Sequence, residues 1–187
     1  PPGAVEVDYA AGAPRGAGLA GSSALLTAFC GALFRAAGTR LPRKELVPVL
    51  RDIETGLLRV PAGGQDYYPA LWGGLQALRW LPGRILREPL PVSIQEMEKR
   101  MLLVYTGSSR NSGVNNWEVF KRHLDGDRRV RGRFQRIAHA AADMYEALQG
   151  KDYEAVGRCM AEDAEARARL FPGILTPEIR ELEQVLK

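Results

Sequence analysis

Between Pro14 and Ala24 the chain reads Pro-Arg-Gly-Ala-Gly-Leu-Ala-Gly-Ser-Ser-Ala. Gly16, Gly18 and Gly21 leave the backbone free to turn with its amide N–H groups facing inward, a nest that attracts anions. A helix is expected directly afterwards, from Ser22 or Ser23 as its cap to Gly38 at its end. The unpaired amides and partial positive charge at its start add to the pull on an anion. The hydroxyls of Ser22 and Ser23 stand at the same place, able to donate to a phosphoryl oxygen or to ligate Mg²⁺. No G-K-[ST] follows the glycines, which disfavours a P-loop. Glycine turns before helices also serve tight packing alone, so the segment points to phosphate without establishing it.

Two further segments carry reactive groups. In Gly63-Gly64-Gln65-Asp66, followed by Gly73-Gly74, a carboxylate in a loop beside glycines is placed to approach a ligand. Phosphoryl transfer needs such a group to orient, and to deprotonate, an acceptor hydroxyl. Glu54, on an expected helix, suits a metal ligand or the partner of one. Set against these roles are a turn cap for Asp66 and a solvated helix face for Glu54. The third segment, Tyr105-Thr106-Gly107-Ser108-Ser109-Arg110-Asn111-Ser112-Gly113, is dense in donors. Arg110 could grip a phosphate bidentately and Ser109 or Ser112 could meet sugar hydroxyls. The alternative is a plain hydrophilic loop with a cap at Ser112.

Elements must hold these groups. Val5–Ala11, Leu75–Leu78 and Met101–Tyr105 are short apolar or alternating runs of strand length. In the first helix Leu25, Ala28 or Phe29, Ala32 and Leu33 share a face. Leu46–Leu58 reads as a second helix, with Pro48 either kinking it or opening its main body. Pro82-Gly83 signals a turn, and Glu88-Pro89-Leu90-Pro91-Val92 a boundary between lobes. Downstream the pattern is helical. Phe134, Ile137, Ala138, Ala141, Met144, Tyr145 and Leu148 form one stripe, and Tyr153, Val156, Met160, Ala164 and Arg167 form another beyond Gly150–Asp152. A last helix is expected to open at Thr176-Pro177.

The 187 residues, 45% apolar and 26% charged, suffice for one full core or two small lobes and argue against disorder. Apolar runs are broken by Gly, Arg or Pro before the length of a membrane span. The opening Pro1-Pro2-Gly3 does not resemble a signal peptide, so a cytoplasmic protein without membrane contact is expected. Cys30, Cys159, His123 and His139 show no metal or disulfide spacing. A net charge of +4 suits a phosphate-bearing partner without naming it. The basic run from Arg128 to Arg136 raises nucleic-acid binding as a rival, but nearby acidic residues and the lack of a reader motif weigh against it.

Together the three segments resemble the GHMP small-molecule kinase superfamily, closest to D-glycero-D-manno-heptose 7-phosphate kinase-like sugar kinases. That family's P-x-G-x-G-L-G-S-S-A motif is matched by Pro14, Gly16, Gly18, Leu19, Ser22, Ser23 and Ala24. Its G-G-K-Q-D-Q-Y run resembles Gly63-Gly64-Gln65-Asp66-Tyr67-Tyr68, without the lysine, and Y-T-G-x-S-R-x-S is matched by Tyr105, Thr106, Gly107, Ser109, Arg110 and Ser112. Phe171–Pro177 has the look of the branch's last inter-helix stretch.

The resemblance implies an α+β, two-lobed GHMP kinase fold. A ribosomal protein S5 domain 2-like N-terminal lobe would span 1–90, and a ferredoxin-like helical C-terminal lobe 91–187. Both are expected to be incomplete, because the family's first strand would precede Pro1 and its G-A-x-G-A-K-x-x-G-A-G motif would follow Lys187. It implies transfer of the γ-phosphoryl group of ATP to a hydroxyl of a sugar or sugar phosphate. Gly16, Gly18, Leu19, Gly21, Ser22 and Ser23 would bind nucleotide, Ser23 and Glu54 would hold Mg²⁺, and Asp66 and Arg110 would be catalytic. An unpaired sheet edge would invite association, with a homodimer as its simplest form. Ala20 stands where the branch commonly has glycine. A left-handed backbone there would strain the alanine, and the alternative implied is an inactive GHMP-like protein that binds nucleotide or a partner.

Overall fold

Helix formation in the first half follows apolar spacing, but on a different face from the one the bulkiest residues suggest. In the computed structural model, which describes residues 4–59, 62–107 and 116–185, helix α1 (Gly21–Ala36) buries Ser23 and Cys30. Leu26 and Phe34 pack on the same core. The seam is therefore 23–26–30–34, and Leu25 and Phe29, expected inside, are exposed. A helix that is apolar nearly all round offers two seams of similar spacing, and the neighbour's shape selects between them. The expected caps are also corrected: Ser22 and Ser23 lie inside the first turn, and Ala20 is the N-cap, with no side-chain capping bond. At the far end Gly38 N–H donates to Arg35 O and Thr39 N–H to Phe34 O, a Schellman closure.

Helix α2 (Arg43–Leu58) begins five residues before Pro48 and continues through it. Pro48 thus sits inside the helix rather than opening it, and the missing N–H leaves one bond of the early turns unmade. Val47 and Leu50 face the core. Helix α3 (Tyr67–Trp72) buries both tyrosines, and Tyr68 stacks on Trp72 at 5.5 Å. Gly73 and Gly74, at φ 65° and 70°, reverse the chain in a region closed to most side chains. Strands β1 (Gln76–Leu81) and β2 (Arg84–Pro89) then form a two-stranded hairpin. Its Pro82-Gly83 turn, with Gly83 at φ 74°, has the type II signature. Leu78 and Ile85 pack against the helices, and Arg87 lies 5.0 Å over the Trp72 ring.

Described residues up to Glu88 form one compact unit, and those from Pro89 form a second. The second holds α4 (Ile94–Glu98), α5 (Asn116–Leu124), α6 (Arg128–Gln149), α7 (Tyr153–Leu170), a 3-10 turn at Pro172–Ile174 and α8 (Pro177–Val185). No strand occurs among its described residues, so those a ferredoxin-like lobe would need are not among them. Val5–Ala11 and Met101–Tyr105, expected as strands, are irregular. Neither has a neighbouring strand among the described residues, and a lone extended segment has no ladder to join. No described helix is long and apolar enough to cross a membrane.

Helices α6 and α7 pack along a seam of small residues. Ala140, Ala147 and Leu148 are buried on one side, and Val156, Cys159, Ala166 and Leu170 on the other. Ala138, Ala141, Met160, Ala164 and Arg167, expected inward, point outward. Close approach of two long helices favours alanine and cysteine over the bulkier methionine. The helix corners share one device. Gly126 and Lys151 take left-handed φ in Schellman closures, and the next residue caps the following helix. Asp127 accepts from Arg129 N and Val130 N, and Asp152 accepts from Ala155 N at 2.9 Å. The Arg122 guanidinium, 2.6 Å from Asp127, and the capped amides hold that carboxyl below its usual range. The basic run forms the first turns of α6, where Arg131 bonds His123 O and Arg136 pairs with Glu165.

Two stability predictions follow from these corners. Asp152→Ala removes the α7 cap and should cost about 1 kcal/mol in a urea titration; an unchanged midpoint would show the cap to be idle. Ala20→Gly relieves a left-handed alanine at φ 56°. Its gain, net of the added freedom of the unfolded chain, should be roughly 0.5 kcal/mol, and a lowered midpoint would contradict the strain.

Candidate functional site

The loop before α1 alternates its handedness. Gly16, Gly18 and Ala20 have φ of 74°, 76° and 56°, left-handed at every second residue, and Ala17 N–H closes a turn on Pro14 O at 3.2 Å. Such alternation is what builds an anion-cradling nest. Alanine reaches the left-handed region here in spite of its Cβ. The first bond of α1 is Ala24 N–H to Ala20 O, so the amides of Gly21, Ser22 and Ser23 precede the intrahelical ladder. Gly16, Gly18 and Leu19 lie on an exposed loop, and Leu19 is open to solvent.

Glu54 faces this helix start because of its place on α2. It lies one turn beyond Leu50, at the end of the apolar stripe, so the seam that packs α2 delivers a carboxylate to the mouth of α1. Ser22 Oγ donates to Glu54 Oε1 at 3.2 Å, and Ser23 Oγ reaches both carboxylate oxygens, at 3.5 and 3.2 Å. Ser23 is only 4% exposed. From the core side the hydroxyl of Tyr67, fully buried, donates to Glu54 Oε2. Burial, and then the Glu54 carboxylate, hold this phenol well above its ordinary pKa, so it remains a donor.

Asp66 occupies the N-cap position of α3, yet its side chain makes no capping bond. The turn-cap reading therefore does not account for the carboxylate. Partial burial, and secondarily the charge of Glu54, raise its pKa above the usual aspartate value. A carboxyl so tuned is a stronger base than an ordinary aspartate once deprotonated. The structure thus gathers Ser22, Ser23 and Glu54 by direct bonds, with Asp66 in the electrostatic reach of Glu54. Arg110, Ser109 and Ser112 lie outside the described residues.

Tyr67 escaped sequence reasoning. Its ring belongs to the core, packed with Cys30, Val47, Leu50 and Tyr68. Only the destination of its hydroxyl, thirteen residues back in sequence, reveals a second purpose. No local spacing signals that.

The oxygen-only donor set of Ser23 and Glu54 fits a hard divalent cation. Mg²⁺ commonly takes one or two protein oxygens and completes its shell with phosphates and water. The charge balance agrees, since a bare carboxylate beside anion-seeking amides would repel a phosphate and a cation between them would remove the conflict. Among the described residues no cluster of three His, Cys, Asp or Glu offers a self-sufficient metal site.

The segments that build this site lie in a part of the chain that is similar to known proteins. Residues 2–74 match the GHMP kinases N terminal domain. The bifunctional fucokinase/GDP-fucose pyrophosphorylase of Arabidopsis thaliana is 29% identical over 87% of this chain and 16% of its own length. The D-glycero-alpha-D-manno-heptose 7-phosphate kinase of Campylobacter jejuni is 26% identical over 93% of this chain and 51% of its own. The L-fucokinase/L-fucose-1-P guanylyltransferase of Bacteroides fragilis is 27% identical over 98% and 20% respectively. The chain spans about half the length of the heptose kinase and a smaller share of the other two. The glycine loop, the serines that meet Glu54, and Glu54 and Asp66 themselves all fall within the stretch that is similar to the GHMP kinases N terminal domain.

Proposed function

We propose that this chain contributes the nucleotide and metal site of an ATP-dependent sugar kinase. The observation that carries the reading is the convergence of Ser22, Ser23 and Glu54 at the mouth of α1, behind a left-handed glycine loop. The acceptor is a hydroxyl of a sugar or sugar phosphate, of the heptose-phosphate type, in keeping with relatives named for fucose and for heptose 7-phosphate. The amides of Gly21–Ser23 and the loop around Gly16 and Gly18 take the phosphates, with exposed Leu19 beside the nucleotide. Ser23 and Glu54 hold Mg²⁺, which when bound neutralises charge on the β- and γ-phosphates.

Asp66 orients the acceptor. The sugar oxygen attacks the γ-phosphorus, the bond from that phosphorus to the β–γ bridging oxygen breaks, ADP leaves, and the hydroxyl proton passes to the Asp66 carboxylate. Its raised pKa, caused by burial and by Glu54, suits that acceptance. Arg110 is assigned to contact with the substrate. Most of the acceleration comes from placement and from preorganised charge. The Arg128–Arg136 run is assigned to α6 and its helix contacts, with no nucleic-acid role, and the site needs no membrane. The same reading places the protein in the cytoplasm and takes a homodimer as its assembly.

Two measurements test this on the full-length protein. An ATP-consumption screen against sugars and sugar phosphates should find a substrate, and Asp66→Asn should then lower kcat by a hundredfold or more, about 3 kcal/mol. The rate should fall as pH drops through the raised Asp66 pKa, because the protonated carboxyl no longer accepts the proton, and the acid limb should vanish in D66N. Turnover near normal in D66N removes Asp66 from its role, and ATP binding with no transfer to any acceptor makes the protein an inactive nucleotide-binding relative. The second measurement is a pair of titrations with a non-hydrolysable ATP analogue. Glu54→Gln should bind it more tightly than wild type without Mg²⁺, and roughly tenfold more weakly with Mg²⁺ present. An identical ratio in both conditions would leave Glu54 no part in holding the cation.

A further inference from the structure

The α1 mouth holds its carboxylate from two sides, and only one side is serine. Tyr67 is fully buried, and a buried phenol needs an acceptor. Leu50 O lies 3.5 Å from its hydroxyl and would satisfy it without involving the site. The hydroxyl instead lies closer to Glu54 Oε2 and donates there. Its ring is wedged among Cys30, Val47, Leu50 and Tyr68, with Leu71 and Trp72 against the same cluster, so the donor is fixed by the core. Glutamate, by contrast, has a flexible stem that loses rotamer freedom when it is held.

We propose that Tyr67 is a positioning residue for the cation: its buried hydroxyl holds the Glu54 carboxylate at the mouth of α1, ready for a divalent ion that arrives with a nucleotide. The inference rests on the kinase reading and adds to it a residue that touches neither metal nor substrate. The donors leave room for the ion. An ionised carboxylate offers about four acceptor sites; Ser22 and Tyr67 take one each, and Ser23 shares its single proton between the two oxygens. Ser22 and Ser23 hydroxyls can turn their protons aside when a cation binds, whereas Tyr67 approaches from the core and keeps its bond. Orientation therefore persists through binding, which is what such an outer partner supplies to a ligand.

Tyr67→Phe removes the hydroxyl and keeps the ring. On the full-length protein, Mn²⁺ is titrated by electron paramagnetic resonance in the presence of a non-hydrolysable ATP analogue, and the analogue alone is titrated separately without metal. Y67F is expected to weaken Mn²⁺ uptake by about tenfold and to leave the metal-free affinity for the analogue unchanged. Leu71→Ala loosens the same core without touching the phenol, and it should lower the thermal midpoint while keeping Mn²⁺ affinity. Unchanged Mn²⁺ affinity in Y67F overturns the role of Tyr67 alone. Equal losses in Y67F and L71A also overturn it, because the effect would then be loosened packing. Wild-type protein that takes up neither Mn²⁺ nor the analogue sinks the kinase reading, and this role with it.

Discussion

One carboxylate ties three helices together. Glu54, on α2, accepts from two hydroxyls on α1 and one on α3, and hydrogen bonds to a charged acceptor are among the stronger ones a protein makes. The first unit has only a small buried core, Cys30, Val47, Leu50, Tyr67 and Tyr68, and the Glu54 cluster lies at its edge. The stripe that buries Leu50 is the stripe that aims Glu54, and the ring that fills the core carries the hydroxyl that fixes it. Packing and site are therefore one arrangement, in which the helix start, the loop before it and the aspartate of the second glycine segment are all placed relative to that carboxylate.

The same carboxylate creates an electrostatic conflict at the mouth of α1. Left-handed residues at 16, 18 and 20 and the leading amides of α1 favour an anion, while Glu54 disfavours one. On the proposed reading a divalent cation reconciles the two, and phosphate binds in its company. The charge of Glu54 also acts on Asp66, where with burial it favours the protonated form. On the proposed reading, metal bound beside Glu54 would weaken that influence and help to free Asp66 as a base.

Much of this was legible in the residues, and what was not has physical causes. Glycine spacing and the serine pair located the α1 mouth, and Glu54 and Asp66 were readable as carboxylates near it. The helix boundary was not, because serine is so strong a capping residue that Ala20, in a conformation alanine seldom adopts, is hard to prefer. The inward faces of α1 and of the later turns of α7 were read about one residue off, whereas Phe134, Ile137 and Leu148 of α6 and Val156 of α7 pack inward as read. Bulk suggested Leu25, Phe29 and Met160, whereas close packing selected Leu26, Cys30 and Cys159. Val5–Ala11 and Met101–Tyr105 have strand composition, but a strand is a property of a pair, and composition does not supply the partner. Tyr67 was hidden because no local spacing reports where a buried hydroxyl will find its acceptor.

The central claim is that main-chain amides at the start of α1 take phosphate oxygens alongside a cation held by Glu54. Amide chemical shifts of Gly16 to Ser23 test it most directly, recorded on full-length protein titrated with a non-hydrolysable ATP analogue, with and without Mg²⁺. The account predicts saturable shifts at Gly21, Ser22 and Ser23 that grow sharply when Mg²⁺ is present. Shifts confined to other parts of the chain, or none at saturating analogue and Mg²⁺, would contradict it.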